Sequence, residues 1–151
     1  MRLAIACDHG GYTLKAKLLS HLSASGIDII DFGSYDESSV DYPDMAFAAA
    51  EAVAAGECER GILICTTGIG MSICANKVRG VRCALCTNAF MAEMTRRHND
   101  ANILALGAAT VNEGAVFEIV DRFLQTEFEG GRHGRRVQKI SDYEQNHLGG
   151  N

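Results

Sequence analysis

A chain of 151 residues with 47% hydrophobic and 22% charged residues has the size and balance of one compact domain with a real core, and residues 1–151 read as a single domain. Its net charge of −5 offers no general attraction to phosphate backbones, which argues against nucleic acid as the main partner. No apolar run approaches the roughly 18 residues of a membrane span, and residues 1–7 are too short for a signal peptide, so a cytoplasmic protein is expected.

Apolar strands alternate with helical patterns from end to end. Leu3–Cys7 reads as a first strand, followed by Gly10-Gly11 and a helix with Leu14, Leu18 and Leu22 on one face, which Gly26 ends. Ile27–Phe32 reads as a second strand, and Gly33 to Pro43 as a polar loop. An Ala-rich helix is expected over Met45–Ala55, and a buried third strand over Gly61–Cys65. A short helix over Ile69–Lys77 leads to a fourth strand, Val81–Cys86, and then a helix over Ala89–His98. Ile103–Leu106 is the fifth strand. Thr110-Val-Asn-Glu113 has the spacing of a capping box for a helix reaching Phe128, and a last helix is expected over Val137–His147. Five β-α units with short links predict a parallel sheet covered by helices on both faces.

In such sheets the ligand sits outside the carboxyl ends of the strands. Asp8 and His9 follow the first strand there, and Cys65-Thr66-Thr67-Gly68-Ile69-Gly70 follows the third. A thiol at a strand tip can serve as a base. Glycines that take positive φ turn backbone N–H groups toward one point, where they can steady a developing anion. The same residues also describe a tight strand-to-helix turn with a half-buried cysteine. His9 and His98 are expected near strand or helix ends on the ligand side, and two such histidines flanking one cysteine could move protons near neutral pH. Gly68-Ile-Gly70-Met-Ser-Ile73 lacks the third glycine of a dinucleotide fingerprint and follows the wrong strand, so the turn suits a small anion better than a dinucleotide.

Nothing else in the chain suggests disulfides or a metal. Cys83 and Cys86 match C-x-x-C by spacing, but residues three apart on a strand face opposite sides. Arg132, His133, Arg135 and Arg136 form a basic patch in an acidic protein. That patch reads either as a solvated charge run or as a phosphate clamp, since guanidinium forks match phosphate oxygens.

Taken together, the ordered motifs Cys7-Asp-His-Gly-Gly-Tyr12, Asp41-Tyr-Pro43, Cys65-Thr-Thr-Gly-Ile-Gly70, Ala75-Asn-Lys77, Arg96-Arg-His-Asn-Asp-Ala-Asn102 and Glu129-Gly-Gly-Arg-His133 resemble the type B ribose-5-phosphate isomerase family, which includes galactose- and allose-phosphate isomerases. The resemblance covers nearly the whole chain. It implies a Rossmann-like three-layer α/β/α fold with a five-stranded parallel sheet and a C-terminal helix. It also implies cofactor-free aldose–ketose isomerisation of a phosphorylated sugar, ribose 5-phosphate to ribulose 5-phosphate first of all, with a hexose 6-phosphate or a tetrose 4-phosphate as alternatives. The assembly implied is an obligate homodimer with sites between subunits, which could pair again into a dimer of dimers. Carried over by position, Cys65 is the base, Thr66 to Gly70 and Thr67 steady the enediolate, and His98 opens the sugar ring. Asp8, His9, Tyr42 and Asn99 hold hydroxyls, while Arg132, His133 and Arg136 face the phosphate. Met71 stands where some members carry a glutamate base, and Ala109 where the family commonly carries a phosphate-binding arginine. Readings from other classes are a Cys65–His98 hydrolase and a sugar-phosphate sensor without catalysis.

Overall fold

The computed structural model describes residues 1–147, so the last four positions of the expected domain lie outside it. Five strands alternate with helices: β1 (Arg2–Cys7), α1 (Tyr12–Ala24), β2 (Asp28–Asp31), α2 (Tyr42–Ala54), β3 (Arg60–Cys65), α3 (Ile69–Ala75), β4 (Cys83–Leu85), α4 (Ala89–Asn99), β5 (Ile103–Gly107), α5 (Val116–Gln125) and α6 (Gly131–His147). The strands form one parallel sheet in the order β2-β1-β3-β5-β4. The expected three-layer α/β/α architecture is thus present, C-terminal helix included.

Strand alternation divides the core into two layers. Leu3, Ile5, Cys7, Ile62, Ile64, Leu104 and Leu106 point to the layer of α1, α4 and α5, which closes over Phe123. Ala4, Ala6, Leu63 and Cys65 point to the other layer, against Ala46, Ala49 and Ala50 of α2 and Met71 of α3. Small residues on both sides of that second layer let α2 approach the sheet closely. Truncating a fully buried isoleucine such as Ile62 to alanine costs about 2–5 kcal/mol, so either layer alone carries a large share of the stability. Cys83 and Cys86 fall in opposite layers, as their spacing on a strand requires, and all six cysteines are free.

Three helix starts differ from the expectation. Thr110 Oγ1 donates to the Gly107 carbonyl rather than capping a helix, Glu113 pairs with Lys17, and Asn112 Oδ1 accepts from Gly114 N–H at 2.9 Å. That local Asx-type turn delays α5 to Val116. In contrast, α6 begins early, at Gly131, so the basic patch lies in a helix rather than before one. Likewise α2 begins at Tyr42, where Pro43 fits the first turn. Among the described residues no helix is long and apolar enough to cross a membrane.

Candidate active site

The chain reverses its sheet direction between β1 and β3, and the crevice outside their carboxyl ends holds the first group of candidate residues. Cys65 ends β3 and is 5% exposed. Gly68, at φ +76°, caps α3, and its N–H donates to Cys65 Sγ at 3.1 Å. Glycine is required there twice over, because a Cβ would also lie 2.5 Å from Leu85 and 2.8 Å from the Leu106 backbone. The turn is laid against the chain after β5. Ala108 N–H donates to the Cys65 carbonyl at 2.8 Å and Ala109 N–H to the Thr66 carbonyl at 2.9 Å. Thr67 Oγ1 accepts from Ile69 N–H at 3.4 Å.

Asp8 is buried, and its Oδ1 accepts from Gly11 N–H at 3.0 Å, which stops the chain in a short 3-10 turn over His9–Gly11. The Thr66 side chain packs on Gly10. Tyr42, the first residue of α2, lays its ring across Gly70, where a Cβ would fall 2.8 Å from the ring. His9 is exposed, and its Nδ1 accepts from Val40 N–H at 3.4 Å. Asp8, His9, Tyr42 and Cys65 to Gly70 therefore gather at one edge of the sheet.

His98 and Asn99 do not join them, contrary to the expectation that His98 lies on the ligand side. A helix that follows a parallel strand runs back along the sheet, so its C-terminus lands at the amino edge. Arg82, just ahead of β4, donates from Nε to the Asn99 and Asp100 carbonyls, and Gly61 N–H at the start of β3 donates to the Asn102 carbonyl. From Gly61 to Cys65 the strand advances four steps of about 3.3 Å, hence roughly 13 Å. Cys65 and His98 of one chain stand at opposite edges.

Around His98 a second group assembles. Its ring stacks on His133 of α6, with centroids 4.2 Å apart and planes 9° from parallel. Arg132 Nε donates to His133 Nε2 at 3.3 Å, and Arg136 follows one helical turn later. Burial, then the neighbouring His98 and Arg132, hold His133 below the ordinary histidine value, which suits its role as acceptor. The residue that sequence reasoning left without a role is Glu129. Its Oε1 accepts from Arg97 Nε at 2.6 Å, and its Oε2 lies 3.5 Å from His133 Nε2 and 4.0 Å from His98 Nε2. The Arg97 hydrogen bond, ahead of the two histidines, holds its carboxyl below the usual glutamate range.

His98, Glu129 and His133 bring ligand atoms within 4.8 Å of one another, close enough to raise the question of a metal. The geometry does not favour one. Imidazole lone pairs lie in the ring plane, and two stacked rings do not aim theirs at a common point. Arg132 and Arg97 already donate to two of the three groups. With Arg136 nearby, the surroundings suit an anion.

The Ribose/Galactose Isomerase family model matches residues 3–140. Ribose-5-phosphate isomerase B of Escherichia coli is 44% identical over 144 residues, covering 95% of this chain and 97% of that protein. The solved ribose-5-phosphate isomerase B of Clostridium thermocellum superposes with a TM-score of 0.95 at 53% identity, over 97% of this chain and 99% of that one. The enzyme of Mycoplasma genitalium, solved with bound ribulose 5-phosphate, superposes with a TM-score of 0.90 at 42% identity, over 95% of this chain and 96% of that one. With matches of this length and depth, the chain belongs to the ribose/galactose isomerase family, among its type B ribose-5-phosphate isomerases, and is an isomerase.

Proposed function

We propose that the enzyme interconverts ribose 5-phosphate and ribulose 5-phosphate without a cofactor, in a homodimer whose sites each combine the carboxyl edge of one chain with the amino edge of its partner. The observation that carries this reading is the split just described. One edge holds a thiol and an N–H-lined turn, which can move a proton and steady an oxyanion. The other holds histidines and arginines, which can protonate a ring oxygen and bind phosphate. Within one chain the thiol and the arginines stand apart. The exposed faces of α2 and α3 add support, since Ile69 and Ile73 are 51% and 56% exposed one helical turn apart, and Phe47 on α2 is exposed as well. Apolar side chains spaced in that way suit burial against a second copy.

In the first step His98 gives a proton to the ring oxygen while the anomeric hydroxyl passes one to solvent, and the bond between C1 and the ring oxygen breaks to give the free aldehyde. Cys65, as thiolate, then takes the proton from C2. The electron pair moves into the C1–C2 bond, and the aldehyde oxygen becomes the enediolate oxygen, held by turn N–H groups with Thr67 beside them. The Gly68 N–H is directed at Cys65 Sγ and the Ile69 N–H at Thr67 Oγ1, so the amides that follow in the first turn of α3 are the ones offered to the substrate. The proton returns from Cys65 to C1 while the O2 proton passes to O1, so that O2 becomes the carbonyl oxygen and O1 the hydroxyl of the ketose. Asp8, His9, Tyr42 and Asn99 hold hydroxyls, and Arg132, His133 and Arg136 hold the phosphate.

This assignment separates ring opening from enolisation. His98→Asn is expected to lower kcat/KM for ribose 5-phosphate by about 10²-fold, the scale of a positioned acid. It should spare an aldotetrose 4-phosphate, which has no free hydroxyl with which to close a furanose. Steady-state rates on the two substrates check this, and equal losses would contradict the role.

Ala109 bears on the choice of sugar. It is exposed, and Ala108 beside it lines a cavity of about 180 Å³ that Lys17 and Glu113 also border. With a methyl group where the family commonly carries arginine, a longer sugar phosphate has room, and an isomerase of hexose 6-phosphates is the second reading. Ala109→Arg is expected to raise kcat/KM for ribose 5-phosphate about tenfold, the equivalent of about 1.4 kcal/mol, and to lower it for allose 6-phosphate. Rates of wild type and variant on both sugars decide. An unchanged preference would show that this position does not set specificity.

A further inference from the structure

Lys15 on α1 is 1% exposed, and no step of the reaction uses it. A lysine this deeply buried demands full compensation, and it has it. Nζ donates to Asp31 Oδ1 at 2.6 Å, to Asp31 Oδ2 at 2.8 Å and to the Ser34 carbonyl at 2.6 Å, so each of its three protons has an acceptor. Asp31 Oδ1 also accepts from Gly33 N–H at 2.9 Å. Ser34 N–H donates to the Cys7 carbonyl at 2.6 Å, and Cys7 N–H to the Gly33 carbonyl at 2.5 Å. The chain leaving β2 is thereby bolted to the last residue of β1, directly ahead of Asp8 and His9.

From there the chain crosses the exposed stretch 35–39 and returns at Val40, whose N–H donates to His9 Nδ1 at 3.4 Å. Two residues later the ring of Tyr42 lies on Gly70. Because Nδ1 accepts, the proton of the neutral ring sits on Nε2, and His9 turns a donor outward. A single long hydrogen bond does not by itself hold an exposed loop, whose ordering costs conformational entropy at every residue. Fixing the near end at Ser34 removes most of that freedom.

We propose that the Lys15–Asp31 pair is a positioning element, which through the segment from Gly33 to Val40 keeps His9 as an Nε2–H donor toward an oxygen of the substrate. The proposal rests on reading the carboxyl edge as the sugar-phosphate site. Lys15 touches no substrate atom; it acts through the loop.

The test separates stability from positioning. Lys15→Met/Asp31→Asn removes both charges together, leaves an acceptor for Gly33 N–H, and avoids the unpaired carboxylate that Lys15→Met alone would create. In the full-length protein this variant is expected to keep a cooperative thermal transition, to raise KM for ribose 5-phosphate about tenfold and to leave kcat within about threefold, the pattern of lost uniform binding. Nitrogen NMR of the His9 ring should change from one tautomer to a mixture of two. A native KM, or a raised KM with the single tautomer intact, would overturn the proposal. Asp31→Asn alone removes the charge that holds Lys15 while keeping an oxygen for Lys15 Nζ and for Gly33 N–H, and it decides the matter should the double variant not fold. It should give the same mixed tautomer and raised KM, and native values would overturn the proposal. The ring spectrum is read without turnover, so it stands whether or not ribose 5-phosphate proves to be the substrate.

Discussion

Cys65→Ala is expected to lower kcat/KM by about 10²–10⁴-fold, the contribution of a well-placed base, with little change in fold or in affinity for a substrate analogue. The sulfur ends a buried strand and receives one backbone hydrogen bond, so its removal takes away a proton acceptor and only one small side chain from the layer beneath α2 and α3. Steady-state kinetics with calorimetric titration of a non-isomerising analogue gives both quantities. A loss below tenfold would reject the base. Cys74→Ala is the matched control. Burial and the neighbouring Cys65 raise the Cys74 thiol, and its place on α3 gives it a packing role, so activity should stay within a few-fold while stability falls by about 1 kcal/mol.

Mixing two inactive proteins should restore activity. Cys65→Ala breaks the carboxyl edge, and Arg132→Ala/Arg136→Ala breaks the amino edge. In a two-fold dimer with shared sites, a mixed pair contains one site with both defects and one site with neither. Random exchange at equal amounts makes half of the dimers mixed, so roughly one quarter of wild-type activity should return. The basis is geometric, since the two groups of one chain are held at opposite ends of the sheet. The assay is a time course of activity after mixing, with exchange followed by native mass spectrometry. Full exchange without recovery would mean that one chain builds the whole site or that the arginines are structural.

The sheet was legible because strand and helix periodicities alternate cleanly, and all five strands fall where the apolar runs do, within two residues at each end. The Cys65–Gly70 turn was legible for a related reason, since its glycines are demanded by the backbone itself. Side-chain competition was not legible. Thr110 and Glu113 have capping-box spacing, yet Thr110 binds a carbonyl behind it and Glu113 reaches Lys17, a residue 96 positions away. The position of His98 is a different case, because the signal was present. A helix between parallel strands must end at the amino edge, so the topology alone separates His98 from Asp8 and Cys65 within one chain. Glu129 gave no such sign. Its meaning comes from the arrival of α4 and α6 side by side, where Arg97, His98 and His133 converge on it.

The seven residues of α3 present two surfaces at once. Its first turn continues the glycine turn beside Cys65, and its outer face carries Ile69 and Ile73. One rigid segment is thus shared by the place where an anion would rest and the place where a second copy would press. In a dimer paired through that face, occupancy and association would draw on the same free energy. By thermodynamic reciprocity, whatever factor ligand adds to the affinity between chains, pairing adds to the affinity for ligand. Dilution and substrate would then be opposing controls on a single equilibrium, and an apparent binding constant would have meaning only at a stated concentration of chain.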